Sequence, residues 1–113
     1  MFTDHRPWGY YTVLADEPTH KVKRIVVYPG KRLSLQRHRY RTEHWYLVTG
    51  AALVTLGEKQ VLLQCGEAVD IPQGLLHRIE NTSAQEMSFI EIQTGAYFGE
   101  DDIERVADDF GRV

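Results

Sequence analysis

The sequence predicts an all-β domain, an antiparallel barrel or jelly roll with one short helix near its C-terminus. Short runs rich in Val, Ile, Leu, Tyr and Thr recur along the chain at close spacing, and Gly or Pro separates most of them. No alternation of strands with long helical periodicity interrupts the series, which argues against a parallel α/β sheet. At 113 residues the chain is expected to form a single domain.

The strands follow in order. Arg6-Pro7-Trp8-Gly9 reads as a turn-rich lead into a first strand over 10–14, which Asp16-Glu17-Pro18 ends. A longer strand covers 21–28 and stops at Pro29-Gly30. Further strands are predicted over 33–38 and 43–48, with the polar turn 39–42 between them. The segments 51–56 and 60–64 flank Gly57-Glu58-Lys59 and form a hairpin. Strands over 67–71, 77–81 and 87–94 complete the set, punctuated by Gly66, Pro72 and Gly74. Ile103, Val106, Ala107 and Phe110 fall at i, i+3, i+4 and i+7, so a helix is predicted over 103–110. Asp101 would cap it, Glu104 would complete a capping box and Gly111 would stop it.

Composition narrows the partners. A net charge of −3 supplies no global basic field, so neither nucleic acid nor an anionic membrane is expected as a partner. Cys65 is the sole cysteine, so no internal disulfide forms, and its place beside a turn suggests packing rather than reactivity. No apolar run approaches the ~18 residues of a spanning helix. The N-terminal Met-Phe-Thr-Asp-His-Arg-Pro-Trp has no apolar signal core, and a cytoplasmic protein is expected.

The chemistry concentrates in two stretches. Side chains at i and i+2 share a face of a strand, so Gln36 and His38 point together, and Glu43 joins them after the turn. With His77 these are the donor types that hold a divalent metal when strands bring them together. The spacing Gly30-x5-Gln36-x1-His38-x4-Glu43-x6-Gly50 resembles the first cupin motif, and Gly66-x5-Pro72-x1-Gly74-x2-His77-x3-Asn81 matches the second. That resemblance implies a cupin fold with Gln36, His38, Glu43 and His77 as metal ligands.

The wider text is more specific. Arg6-Pro7-Trp8-Gly9, Leu33-Ser34-Leu35-Gln36, Glu43-His44-Trp45, Ile71-Pro72-Gln73-Gly74, His77-Arg78-Ile79-Glu80-Asn81 and Glu100-Asp101-Asp102-Ile103 are among its blocks. They resemble the isomerase domain of the bifunctional, type II mannose-6-phosphate isomerase and mannose-1-phosphate guanylyltransferase enzymes, from about Arg6 to Arg112. The resemblance implies a metal-dependent aldose-ketose isomerase that interconverts mannose 6-phosphate and fructose 6-phosphate and acts as a homodimer. Zinc is the first choice of metal, with Mn, Co, Ni or Fe also compatible with these ligands. The chain has no Gly-rich nucleotide-binding segment, so only isomerase chemistry would carry over. Tyr40 stands where the family usually has histidine, and a phenol does not shuttle protons near neutral pH as imidazole does.

The sugar phosphate requires cations and hydroxyls beside the metal. Lys23, Ser34 and Arg41 are the candidate substrate-binding residues, Lys23 and Arg41 being equally readable as solvated surface charges. Tyr40 and Arg78 are the candidate catalytic residues, although strand parity puts Arg78 opposite His77 unless a bulge re-aims it. Trp45 shares the Glu43 face, as cavity wall or core. Glu91 and Gln93 alternate with Ile90 and Ile92, as a polar pocket wall or a solvated outer face. His5, His20 and His44 are expected on the surface. A competing reading is a non-catalytic sugar or sugar-nucleotide binding cupin that acts with a separate guanylyltransferase. An iron-dependent oxygenase cupin is a third, disfavoured by Gln36 in place of imidazole.

Overall fold

The computed structural model describes residues 2–111 as eleven strands in two antiparallel sheets. The six-stranded sheet runs β1 (Phe2–Arg6), β2 (Gly9–Asp16), β3 (His20–Val27), β10 (Met87–Gly95), β5 (Arg41–Thr49) and β8 (Ala68–Ile71). The five-stranded sheet runs β11 (Glu104–Ala107), β4 (Leu35–Arg37), β9 (His77–Glu80), β6 (Ala51–Leu56) and β7 (Lys59–Gln64). This is the cupin jelly roll.

The turns follow local chemistry. β6 and β7 pair through Leu56 and Lys59, leaving Gly57-Glu58 as a two-residue hairpin. Gly57 has φ +61° at the first central position, as a type II′ turn requires. Gly50, at φ +86°, lets the chain leave one sheet at the end of β5 and enter the other at β6.

Register divides the interior into two ends. Pairing of β10 with β5 sets Gln93 opposite Glu43, Glu91 opposite Trp45 and Phe89 opposite Leu47. On its other side β10 sets Glu91 opposite Lys23, Phe89 opposite Ile25 and Met87 opposite Val27. Each of these strands therefore changes from polar to apolar along one inward face. The apolar end closes with Val54 and Ile79 from the second sheet, while the polar end opens toward β4 and β9.

The C-terminal segment departs from its helical pattern. Residues 103–110 contain no helix; Glu104–Ala107 is a strand paired antiparallel with β4, Glu104 opposite Arg37 and Arg105 opposite Gln36. An apolar stripe two turns long is too short to stabilise a helical nucleus, whereas the edge of β4 offers backbone partners directly. The polar residues expected to start the helix are engaged elsewhere. Glu104 accepts two hydrogen bonds from the Arg37 guanidinium, both at 2.9 Å, and Asp101 accepts from the Tyr97 hydroxyl. β1 was likewise not predicted, since Phe2–Arg6 alternates weakly and lies largely exposed.

Asn81, the last position of the second motif, binds three chain segments together. Its Nδ2 donates to Val27 O at 2.9 Å and to Gln85 O at 2.7 Å, and its Oδ1 accepts from the Ser83 N–H at 2.9 Å. Replacing a fully buried amide with an apolar group strands these backbone partners. Asn81→Ala is expected to lower unfolding free energy by about 2–4 kcal/mol, measured by urea denaturation. An unchanged midpoint and slope would show that solvent satisfies the freed groups.

Candidate metal centre

Three strands bring the sequence-predicted ligands together. Gln36 on β4 is the register partner of His77 on β9, and His38 follows β4 by one residue. β5 presents Arg41, Glu43 and Trp45 on one buried face. The donor atoms of His38, Glu43 and His77 all lie within 4.8 Å of one another. His38 Nε2 stands 3.1 Å from Glu43 Oε2, and His77 Nε2 stands 4.0 Å from Glu43 Oε1.

The outer ring nitrogens orient both imidazoles. His38 Nδ1 lies 3.0 Å from Asp102 O and His77 Nδ1 lies 2.9 Å from Leu75 O. A carbonyl only accepts, so each Nδ1 carries a proton and donates. With neutral rings, the His38 and His77 Nε2 lone pairs lie beside the Glu43 carboxylate, and the cation among them is the Arg41 guanidinium, whose Nη2 stands 3.3 Å from His38 Nε2. His77 Nε2 is buried with no hydrogen-bond partner among the described residues. Two imidazoles and a carboxylate in this arrangement fit a divalent cation, and Gln36 lines the same cavity.

Charge in the site is organised around Glu43. Arg41 Nε donates to its Oε2 at 2.8 Å, and Trp45 Nε1 donates to its Oε1 at 2.9 Å. Burial pushes the Glu43 carboxyl up, but its close neighbours His38, His77 and Arg41 hold it well below the usual carboxylate range. Burial depresses the His77 imidazole, against the opposing pull of Glu43, which favours the neutral ligand form. Glu91 behaves in the opposite sense. Burial first, then the nearby Glu43 charge, raises it to about 7 despite Lys23 and Arg41.

Lys23, Ser34 and Arg41 line the same cavity of about 90 Å³, room for several water molecules. The Lys23 ammonium sits 4.3 Å from the centroid of the Tyr11 ring and forms an ion pair with Glu100. Trp45 is a cavity wall and also packs on Phe89, so both of its readings hold. The two candidate catalytic residues are not brought to this cavity. Arg78 projects to the other side of β9, where Nε donates to Leu33 O at 2.8 Å and Nη2 to Ala107 O at 3.2 Å, bracing the sheet edge. Tyr40 is 47% exposed and meets Tyr97 edge-on beside a larger outer hollow of about 610 Å³. His44 is bonded to Asp70 on the outer face.

Sequence reasoning left Glu91 and Gln93 open between a pocket wall and a solvated face, and it missed Glu100 and Arg105. Glu91 and Gln93 are buried and hydrogen-bonded to each other, with Ile92 turned outward, so they form a polar inner wall. The signal was their parity with Phe89, which must face the core. Glu100 and Arg105 also line the cavity, and their arrival depends on the course of the C-terminal segment that was read as a helix.

Residues 2–108 match the family described as Mannose-6-phosphate isomerase C-terminal. The chain belongs to this family. It is 46% identical over 104 residues to the mannose-1-phosphate guanylyltransferase of Sinorhizobium fredii, covering 92% of this chain and 20% of that protein. It is 45% identical over 109 residues to the alginate biosynthesis protein AlgA of Pseudomonas aeruginosa, covering 96% of this chain and 23% of that protein. The chain thus spans roughly a fifth of the length of these curated relatives. Among solved structures it resembles a double-stranded β-helix domain protein from Klebsiella pneumoniae, with TM-score 0.79 and 16% identity over 94% of this chain and 90% of that one. It also resembles the Cnp3 cupin domain of Schizosaccharomyces pombe, with TM-score 0.76 and 12% identity over 81% of this chain and 68% of that one. These likenesses establish the fold.

The relatives correct the functional expectation. They are named for guanylyl transfer to mannose 1-phosphate and for polysaccharide biosynthesis, which overturns the reading of this chain as an isomerase of mannose 6-phosphate and fructose 6-phosphate.

The raised Glu91 carboxyl has a consequence for stability. The folded chain keeps this proton up to about pH 7, whereas an unfolded glutamate releases it near its ordinary value, so stability declines as pH rises through this window. Glu91→Gln removes the decline. Relative to wild type, the variant should gain roughly 1–3 kcal/mol between pH 5 and pH 8 in paired urea titrations. A difference independent of pH would show that Glu91 ionises alike in the folded and unfolded chain.

Proposed function

We propose that this chain is a non-catalytic cupin that binds a sugar phosphate or sugar nucleotide and acts with a guanylyltransferase. The observation that carries this reading is one buried cavity holding Lys23, Ser34 and Arg41 beside a cluster of metal-ligand type, in a chain whose relatives are named for guanylyl transfer. A phosphoryl group suits Lys23 and Arg41, and Ser34 can bond a sugar hydroxyl. The guanylyltransferase would be the partner, since this domain corresponds to only 20–23% of such relatives.

We further infer one divalent cation held by His38 Nε2, Glu43 and His77 Nε2, with Gln36 as the fourth donor. Zinc suits the two imidazoles and the carboxylate best, and Mn, Co, Ni or Fe would accept the same set. When bound it would supply a Lewis-acidic anchor for a sugar or phosphoryl oxygen. Arg41 and Trp45 hold Glu43 in the orientation this requires. A homodimer belongs to the same proposal, supported by Tyr46, Val48 and Ile92, which lie exposed on the outer face of the six-stranded sheet.

Calorimetric titration tests the reading. Zinc-loaded protein should bind mannose 1-phosphate or GDP-mannose at a single site, and EDTA should weaken binding by about tenfold or more. His77→Ala should lose the metal, measured by elemental analysis after dialysis against zinc. Absence of binding at every metal loading would overturn the proposal.

A further inference from the structure

Four cationic side chains, Arg6, Lys23, Arg41 and Arg105, line the cavity, and their partners differ in kind. Arg6 is held by Asp4 on its own strand, through Nη1 and Oδ1 at 2.6 Å. Arg41 is held by Glu43 through Nε, yet its Nη1 is buried with no hydrogen-bond partner. Arg105 Nε is also buried, and among the described residues neither atom has a hydrogen-bond partner. Lys23 is almost wholly buried, and its anion comes from outside the sheets: it is Glu100, in the irregular segment 96–103 between β10 and β11.

That segment is a strap anchored on both sides of Glu100. Before it, the Ala96 N–H donates to Tyr40 O at 3.0 Å, an approach so close that a Cβ on Gly95 would lie 2.3 Å from the same oxygen. After it, the Asp102 carboxylate accepts from the N–H groups of Arg39 at 3.0 Å and Tyr40 at 2.9 Å. Between these anchors the Glu100 carboxylate reaches Lys23 while its side chain stays 40% exposed. Burial raises the Glu100 carboxyl, but Lys23, then Arg41 and Lys21, more than offset it and keep it ionised.

A carboxylate so placed resembles a phosphoryl group in charge and acceptor character. It is smaller, with two oxygens, and it bonds Lys23, while Arg41 Nη1 and Arg105 Nε have no hydrogen-bond partner among the described residues. A phosphomonoester has three terminal oxygens and more charge, enough for the Lys23 ammonium and both stranded guanidinium N–H groups. Unmet buried donors of this kind are costly, so a ligand that satisfies them is favoured over the resident carboxylate.

We propose that Glu100 is a built-in competitor for the phosphoryl group: its carboxylate occupies the anion seat of Lys23, in the cavity that the unpartnered Arg41 Nη1 and Arg105 Nε also line, and a phosphomonoester displaces it and lifts the 96–103 strap. This rests on the reading that the cavity takes a phosphorylated sugar. It adds a gate, because the anion enters only as Glu100 leaves.

The test uses the full chain with two probes, inorganic phosphate and mannose 1-phosphate, in calorimetric titrations of wild type, Glu100→Gln and Lys23→Gln. Glu100→Gln should bind both probes about tenfold more tightly, because the competing charge is gone. Lys23→Gln should bind them about tenfold more weakly. In wild-type protein, hydrogen exchange at the amides of 97–101 should accelerate when phosphate binds, a readout that needs no variant. If wild type binds the probes, but Glu100→Gln binds no better and the strap amides do not respond, the gate is overturned and the binding function stands. If no protein binds either probe, both fall together.

Discussion

The site depends on one ionised carboxylate kept out of water. Glu43 is almost completely buried, and a lone buried charge is unstable unless its surroundings supply compensating donors. Here Arg41, two positions along the same strand, and Trp45, two positions the other way, each donate to a different oxygen. β-Strand alternation is what makes this possible, since residues 41, 43 and 45 share one face. Both histidines then converge on the same carboxylate from β9 and from the end of β4, each held by a backbone carbonyl behind it.

The remainder of the polar end answers to that charge. Glu91 and Lys23 are register partners and lie buried beside it, and the two carboxylates cannot both ionise without strain on the site. Glu43 stays ionised despite its burial because His38, His77 and Arg41 lie against it, and Glu91 holds its proton longer because of its own burial first and the Glu43 charge second. The separation of a charged end from an apolar end therefore has a functional meaning. Phe89, Leu47 and Ile25 give the barrel its cohesion, and the same three strands carry the binding groups a few residues further along.

Comparison with relatives changes the meaning of the site rather than its geometry. A metal-capable cupin cavity is compatible with isomerisation and with simple binding, and no distance among His38, Glu43 and His77 separates the two. The relatives are named for guanylyl transfer to mannose 1-phosphate or for polysaccharide biosynthesis, and this chain corresponds to about a fifth of their length. A cavity that recognises sugar phosphate beside a transferase is consistent with both facts. The likeness to other cupins at 12–16% identity fixes architecture and leaves chemistry open.

Much of this molecule was legible before any coordinates. Alternating apolar runs and Gly or Pro punctuation located nine of the eleven strands, and motif spacing singled out Gln36, His38, Glu43 and His77. Both signals are local or depend only on fixed spacing, which a linear text preserves. Four things needed the tertiary structure. The 103–110 segment has helical period but becomes a strand, because the open edge of β4 supplies partners that no sequence window contains. Glu91 and Gln93 face inward because β10 is pinned between β3 and β5 by register, not by their own polarity. Arg78 turns away from the cavity as strand parity indicated, and no bulge intervenes to bring it back. Glu100 reaches Lys23 across 77 residues of chain through an irregular strap. Side-chain periodicity is a property of each strand alone, whereas the meeting of charges from distant strands is set by how the sheets close.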